Sequence, residues 1–512
     1  MTNPLNRRDF LQTSLILSAA MSPILDPKIT SDSLLASENS PENTLEKAAS
    51  KSGASEKLRV AVIGVRGRGT NHIDGIANKY GCEVVTICDC DEGVIGKAMK
   101  AVEKKQGKAP QYVQDLRKVL DDKSIDIVTI ATPNHWHSLA AIWALQAGKD
   151  VYVEKPVSHN VHEGAILVDT ANKSKQICQA GTQSRSNPGM RQAIQWIHDG
   201  KIGKVTLSYG VCYKRRNSIG KVTQATPVPK TMNYDLWSGP AAILPVMRKN
   251  LHYDWHWIWA YGNGDLGNQG IHEMDKARWG LNRAGLPKSV ISVGGRFGYI
   301  DDGQTANTQL CVFDYGDDAQ LIFDVRGLPS VSPYPGEMSK AKPGSYFVGN
   351  IFYGTEGYVI CPSYGSGIVL DKDLKIVKRF NGGSDAYHYE NFIKAVRSRN
   401  SKELNGHIQE GHLSSALCHL GNISYQLGKE TPMGNIDHFT DVKTAQDAFK
   451  RMVEHLKTNE IDTSKAIGKV GPLLTFDPKS NKFTGSGAEI SKANDMLFAE
   501  YRKGFEVKET NA

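Results

Sequence analysis

The segment Leu58-Arg59-Val60-Ala61-Val62-Ile63 is an almost unbroken apolar run that passes directly into Gly64-Val65-Arg66-Gly67-Arg68-Gly69, with a helical stretch from about Thr70. Such a run is buried on both faces, as in a parallel sheet flanked by helices. Glycines at the turn let the backbone reverse tightly and bring the N–H groups of a helix N-terminus close to a pyrophosphate. The spacing departs from Gly-x-Gly-x-x-Gly, because Arg66 stands where the second glycine is expected and Gly67 follows it. Alone, the turn is a weak signal.

The following strands strengthen it. Glu83 to Cys88 ends at Asp89, twenty residues past Gly69, where a carboxylate meets a ribose 2′-hydroxyl and repels a 2′-phosphate. This favours NAD over NADP, although Asp89 also suits a helix cap. Ile125 to Ala131 leads to Thr132-Pro133-Asn134-His135-Trp136-His137, read as a loop, then to a helix from Ser138 to Ala147. The strand Asp150 to Val153 closes in Glu154-Lys155-Pro156, placing one lysine at a strand end where the reactive ring of a dinucleotide sits. His135 and His137 supply too few ligands for a metal, and none is expected.

A domain boundary falls after Gln179 to Arg185, near the helix Met190 to Asp199. Strand-like segments then recur at 205–213, 289–297, 308–315, 319–326 and 346–353, separated by Gly, Asp and Pro, which predicts an open, mainly antiparallel sheet with helices on one face. A second chemical centre is Gly264-Asp265-Leu266-Gly267-Asn268-Gln269-Gly270-Ile271-His272-Glu273-Met274-Asp275. A helix starting near Asn268 would align Asn268, His272 and Asp275 on one face. Trp237, Trp255, Trp257, Trp259 and Trp279 crowd one region with Tyr234, Tyr253 and Tyr261; flat faces beside polar groups suit a sugar ring, and several of these rings serve as core packing. His252 and His256 have ligand-like spacing without a third partner.

These motifs resemble the Gfo/Idh/MocA oxidoreductase family over most of residues 58–430. The resemblance implies a Rossmann domain followed by a larger sheet domain carrying a sugar site, with Thr132, Asn134, His137, Glu154 and Lys155 flanking the nicotinamide. It also implies His272 as the base that removes a hydroxyl proton, with Asn268 standing where the family usually has an aspartate. A neutral amide cannot stabilise imidazolium by charge, so a lowered His272 pKa is expected. The combined expectation assigns catalysis to Lys155, His272 and Asn268. It assigns NAD contacts to Gly64, Arg66, Gly67, Arg68, Gly69, Asp89, Thr132, Asn134, His137, Glu154, Lys155 and Gln183, and substrate contacts to Arg185, Tyr213, Trp255, His272 and Asp275. The implied activity is NAD-dependent oxidation of a ring hydroxyl of a sugar or glycoside, position 3 of a hexoside being favoured by the resemblance. A redox-neutral NAD-dependent glycosidase and a non-catalytic sugar-binding protein are the alternatives.

Asn6-Arg7-Arg8-Asp9-Phe10-Leu11-Gln12 and the mildly apolar run after it form a twin-arginine export pattern, too short to span a bilayer as an anchor. Residues 31–57 read as a linker. Export implies a periplasmic protein that carries tightly bound NAD outward, to be reoxidised in place by an electron acceptor or second sugar. The expected division is 1–57 signal and linker, 58–182 Rossmann domain, 183–465 sheet domain and 466–512 a tail, with a helix from Ala488 to Arg502, that wraps this chain or a neighbour. A homo-oligomer is expected. The net charge of +8 is scattered, so no nucleic-acid partner is expected. The eight cysteines sit in apolar runs and read as buried thiols.

Overall fold

The computed structural model describes residues 57–316, 318–335, 338–339 and 346–508; the twin-arginine segment and its linker lie outside them. Strands β1 (Leu58–Ile63), β2 (Cys82–Cys88), β3 (Gln111–Val113), β4 (Ile127–Ile130), β5 (Asp150–Val153) and β6 (Cys178–Ala180) form one sheet in the order β3-β2-β1-β4-β5-β6. Val60 lies opposite Ile127, and Ile127 opposite Asp150, in parallel pairing. The strand order reverses between β1 and β4, and at that switch point the loops part to leave a cleft beyond the carboxyl ends. Val60, Ala61, Val62, Val128, Ile130 and Val151 are almost wholly buried, as apolar runs covered on both faces must be.

One boundary moves in a way that matters. The helix after β4 begins at Asn134, not Ser138, because Pro133 serves as its N-cap. Asn134 and His137 therefore stand on the first helical turn instead of in a loop.

The second sheet has strands β7 (Val205–Tyr213), β8 (Ser289–Gly295), β9 (Thr308–Asp314), β10 (Gln320–Arg326), β11 (Phe347–Gly354), β12 (Tyr358–Cys361), β13 (Gly367–Leu370), β14 (Ile376–Phe380), β15 (Lys429–Pro432), β16 (Ile467–Val470), β17 (Leu474–Asp477) and β18 (Lys482–Thr484). Its order is β14-β13-β12-β11-β7-β10-β9-β8-β16-β15, with β17 also beside β8 and β18 beside β17. Pairing is antiparallel apart from β7 with β10. Alternate residues divide between two cores. Cys212, Phe313, Leu321 and Phe323 pack with the helices Gly270–Gly280 and Ile408–Gln426. Tyr209, Val211, Val312 and Ile322 pack with the helix Lys443–Thr458, so the second face is covered as well.

The eight cysteines are free thiols, seven of them buried. No helix among the described residues is long and apolar enough to cross a membrane.

The C-terminal helix stops at Asp495 instead of reaching Arg502. Its apolar residues beyond that point dock elsewhere: Leu497 is buried, Phe498 lies on His162 at 4.3 Å, and Phe505 packs edge-on to Trp136 at 5.7 Å. Arg502 donates to the carbonyl of Gly239 at 3.0 Å and pairs with Asp235. Residues 498–505 thus wrap this chain's own Rossmann domain and the stretch 235–239, while β16, β17 and β18 extend the large sheet. A Phe505→Ala substitution should cost about 3 kcal/mol, typical of a buried Phe→Ala cavity, and visibly lower the thermal midpoint; an unchanged midpoint would show that the tail contributes nothing to stability.

Candidate active site

A cleft of about 410 Å³ opens at the switch point, floored by Gly64, Arg66, Gly67, Arg68, Asp89, Thr132, Asn134, His137, Glu154 and Lys155, and reached from the sheet domain by Asn268, His272 and Tyr364. Gly64 has φ +81°, and a Cβ there would lie 2.7 Å from the Ala131 carbonyl, so no other residue fits the turn. A Cβ on Gly69 would fall 1.9 Å from the Gly64 carbonyl oxygen; that glycine lets the helix close on the turn and is not itself part of the lining. At Gly67, by contrast, a Cβ would meet no atom of the described residues within 4 Å apart from its chain neighbours. The space above it is open to a ligand.

Asp89 accepts the backbone N–H of Val65 at 2.9 Å and that of Asp91 at 3.1 Å, which anchors the glycine turn to the end of β2. Burial raises its pKa to about 6 against those two hydrogen bonds. Thr132 carries a buried hydroxyl without a protein partner among the described residues at the end of β4. An open glycine cradle, the Asp89 carboxylate and an unsatisfied hydroxyl lining one cleft fit a dinucleotide. The ring nitrogens of His137 lie 2.6 and 2.8 Å from the carbonyl oxygens of Pro156 and Thr132, bracing the ends of β4 and β5. Asn134 donates to Asn263 of the sheet domain at 3.1 Å.

Glu154, at the end of β5, is 3% exposed and organises the centre. Its Oε1 receives Arg68 Nε at 2.9 Å, His72 Nε2 at 3.1 Å and Gln183 Nε2 at 3.2 Å. Arg68 also reaches Asp385 at 2.7 Å. Burial pushes the Glu154 pKa upward, yet the charge of Arg68 and the bond to His72 outweigh it, and the carboxylate stays ionised. A Cβ on Gly181 would come within 2.9 Å of that carboxyl group, so the bare backbone there makes room for it.

Lys155 turns away from Glu154 and donates through Nζ to the Asn268 carbonyl at 2.8 Å. Burial lowers its pKa to about 8; Glu154 opposes the shift, while Arg68 and Lys214 add to it. His272 packs against the Tyr364 ring at 4.8 Å, and its pKa lies well below the usual imidazole value, first through burial and then through the charge of Lys155. Tyr364 is held by Gln269 at 2.7 Å, and Gln269 by Lys214 at 3.0 Å.

Three expected substrate contacts are corrected. Asp275 does not converge with Asn268 and His272: it shares the helix Gly270–Gly280 with His272 but faces Arg185, while Asn268 ends the preceding helix Gly264–Asn268. It instead receives Arg185 Nε at 2.8 Å and Ser414 Oγ at 2.7 Å, which locks Arg185 in the same buried pair and takes both away from the cleft lining. Tyr213 donates to Asp324 at 2.6 Å on the opposite face of the large sheet. Strand parity puts Cys212 on the site's side of the sheet instead. Trp255 and Gln183 do line the cleft.

His72, Tyr364 and Asp385 lay outside the motifs read from the sequence, whereas the aromatic and histidine cluster seen there belongs to a wall formed by residues 214–263. That segment, inserted after β7, covers the cleft with Leu236, Trp237, His252, Tyr253, Trp255 and His256. It is fastened to the Rossmann domain by Trp136 Nε1 donating to the Leu236 carbonyl at 2.9 Å and by His252 Nε2 against Asp91 at 2.9 Å. His252 and His256 thus turn to different partners.

The geometry defines a Rossmann-type dinucleotide-binding protein with a lysine and an imidazole at the inner end of its cleft. Residues 58–182 match the model of the oxidoreductase family's NAD-binding Rossmann fold, and 193–336 match that of its C-terminal alpha/beta domain. The chain belongs to the Gfo/Idh/MocA oxidoreductase family, and its cofactor is NAD. It is 33% identical over 183 residues to glycosyl hydrolase family 109 protein 2 of Shewanella sp. (strain ANA-3), a match covering 34% of this chain and 38% of that protein. An alpha-N-acetylgalactosaminidase of Shewanella oneidensis is 31% identical over 154 residues, 29% of this chain and 34% of the relative. The chain therefore spans little more than a third of the curated relatives it matches. Among solved structures, levoglucosan dehydrogenase in complex with NADH and levoglucosan superposes with a TM-score of 0.53 at 17% identity, covering 71% of this chain and 96% of that one. The WlbA dehydrogenase of Bordetella pertussis, in complex with NADH and UDP-GlcNAcA, gives 0.51 at 21% identity over 71% and 95%.

Because Glu154 is the neighbour that raises the Lys155 pKa most, Glu154→Gln should move the Lys155 ionisation below about 8. Isotope-labelled reductive methylation followed by NMR titration reads this directly; an unchanged or higher value would show that Glu154 is not the counter-charge.

Proposed function

We propose that this protein oxidises a ring hydroxyl of a sugar or glycoside with NAD, and that it holds the dinucleotide tightly. The observation that carries the reading is the convergence of Lys155 and His272, from different domains, on one cleft with the glycine turn. Bound NAD supplies the hydride acceptor. The chain must hold the substrate and receive the hydroxyl proton.

The two groups act as a pair. Burial, and then the charge of Lys155, depress the His272 pKa, so the pair holds one proton readily and a second only at considerable cost. With Lys155 neutral, a hydroxyl proton taken through the imidazole has an acceptor; with Lys155 already an ammonium, it has none. Asn268 contributes its backbone carbonyl, which fixes Nζ, and its amide side chain adds no charge that would favour imidazolium. Substrate polarity fits the cleft wall, where Trp255 offers a flat face close to polar groups. The preferred hydroxyl, position 3 of a hexoside, rests on family resemblance.

Tight retention of NAD is supported by the 214–263 wall, which is tied to the turn after β2 and to the helix Asn134–Gln146 by the bonds described above. Retention accords with export through the twin-arginine signal to the periplasm, where bound NADH would be reoxidised in place by an acceptor or second sugar. A second reading, the redox-neutral glycosidase, is favoured by the relatives named as glycosyl hydrolases. Release of nitrophenol from nitrophenyl glycosides without any acceptor would establish it; dependence on an acceptor would establish net dehydrogenation.

Oxidation of a hexoside, measured as kcat/KM against pH, should rise through about 8 as Lys155 loses its proton, and the reverse reduction should fall over the same range. Lys155→Met should remove that transition and slow turnover by about 10²- to 10⁴-fold, as expected for lost acid–base assistance. A wild-type profile flat across this range, or a variant with unchanged rate, contradicts the assignment.

A further inference from the structure

His256 is a polar group on the cleft wall that the oxidation chemistry leaves unused. It stands in the helical turn Asp254–Trp257, partly buried, its ring stacked on Trp255 at 3.7 Å with 20° between the planes. Trp255 is itself fixed by Nε1 donating to the His252 carbonyl at 3.0 Å, and the Tyr253 ring lies 4.8 Å away. His256 Nδ1 meets the Tyr253 carbonyl oxygen. A carbonyl can accept but not donate, so Nδ1 carries the proton and Nε2 keeps its lone pair. Among the described residues no protein group bonds to Nε2, although the ring lines the same cleft as Lys155 and His272.

The state of the ring is equally fixed. Burial, with the charges of Lys155, Arg216 and Lys214 added, lowers its pKa to about 3 against the bond to Tyr253, so the imidazole stays neutral at working pH. A preorganised acceptor held by a stack and one hydrogen bond, with its free nitrogen unpaired, is suited to an incoming O–H group.

We infer that His256 is a specificity-determining residue that accepts, through Nε2, a hydrogen bond from a second hydroxyl of the same sugar, distinct from the hydroxyl that is oxidised. The inference rests on the dehydrogenase reading above and deepens it: the substrate must be a polyol that presents at least two hydroxyls to the cleft. A site built to pair with a hydroxyl rejects an analogue lacking it, because the protein acceptor is then left desolvated and unpaired.

The test uses the full-length protein loaded with NAD, methyl glucoside or methyl galactoside, whichever is oxidised, and the monodeoxy analogues of that sugar. His256→Phe keeps an aromatic face without a lone pair, and His256→Gln restores an acceptor oxygen. Wild type should discriminate against one deoxy analogue by about 10- to 100-fold in kcat/KM, the range for an acceptor left unsatisfied. His256→Phe should lose a comparable factor on the parent sugar, mainly in KM, and show no further penalty on that analogue; His256→Gln should recover part of the loss. Dinucleotide affinity, followed by fluorescence titration, should be the same in all three proteins. If His256→Phe keeps the wild-type discrimination across the deoxy series, or loses NAD affinity along with sugar affinity, the assignment of His256 is overturned. Failure of wild type to oxidise any methyl hexoside would instead overturn the dehydrogenase reading, and this inference with it.

Discussion

The site depends on one buried carboxylate. Glu154 ends β5 and gathers Arg68 from the glycine turn, His72 from the helix behind it and Gln183 from the segment after β6. Removing one partner of such a pair leaves an uncompensated charge in the interior, at a cost on the order of 3–5 kcal/mol. The same negative charge keeps the neighbouring lysine from losing its proton at still lower pH. Glu154 therefore touches both the glycine turn and the proton affinity of Lys155, and its space is guaranteed by Gly181.

Much of this was legible in the sequence, for physical reasons. Parallel strands buried on both faces must be apolar throughout, so β1, β4 and β5 were visible as runs, and their order with the glycine turn implied the Rossmann half. Lys155 was legible because strand alternation separates it from Glu154. The misses share a cause: spacing within one element does not say which partner wins across elements. Asp275 has the right helical spacing to join His272, but the facing Arg185 and Ser414 claim it. Tyr213 lies one residue from Cys212 and so falls on the wrong face of β7.

The inserted wall was visible as an aromatic cluster without a place. Its core of Met232, Trp237, Trp255, Ile258 and Tyr261 is local, which explains why tryptophans in this stretch serve packing and site at once. Trp237 contributes one face to that core and also lines the cleft. The C-terminal tail, whose apolar residues do not continue the helix periodicity, braces the same region from outside through Arg502 and Phe505. Cleft, wall and tail thus form one continuous set of contacts.

The central claim is that Lys155 and His272 together pass a substrate proton while hydride leaves the sugar. Single-turnover mixing of the NAD-loaded protein with excess hexoside, followed by the near-ultraviolet absorbance of reduced nicotinamide, tests it most directly. The account predicts a rapid rise in wild type, and a rise slowed by orders of magnitude in both Lys155→Ala and His272→Ala, each still retaining dinucleotide. Equal rates in wild type and either variant would contradict it.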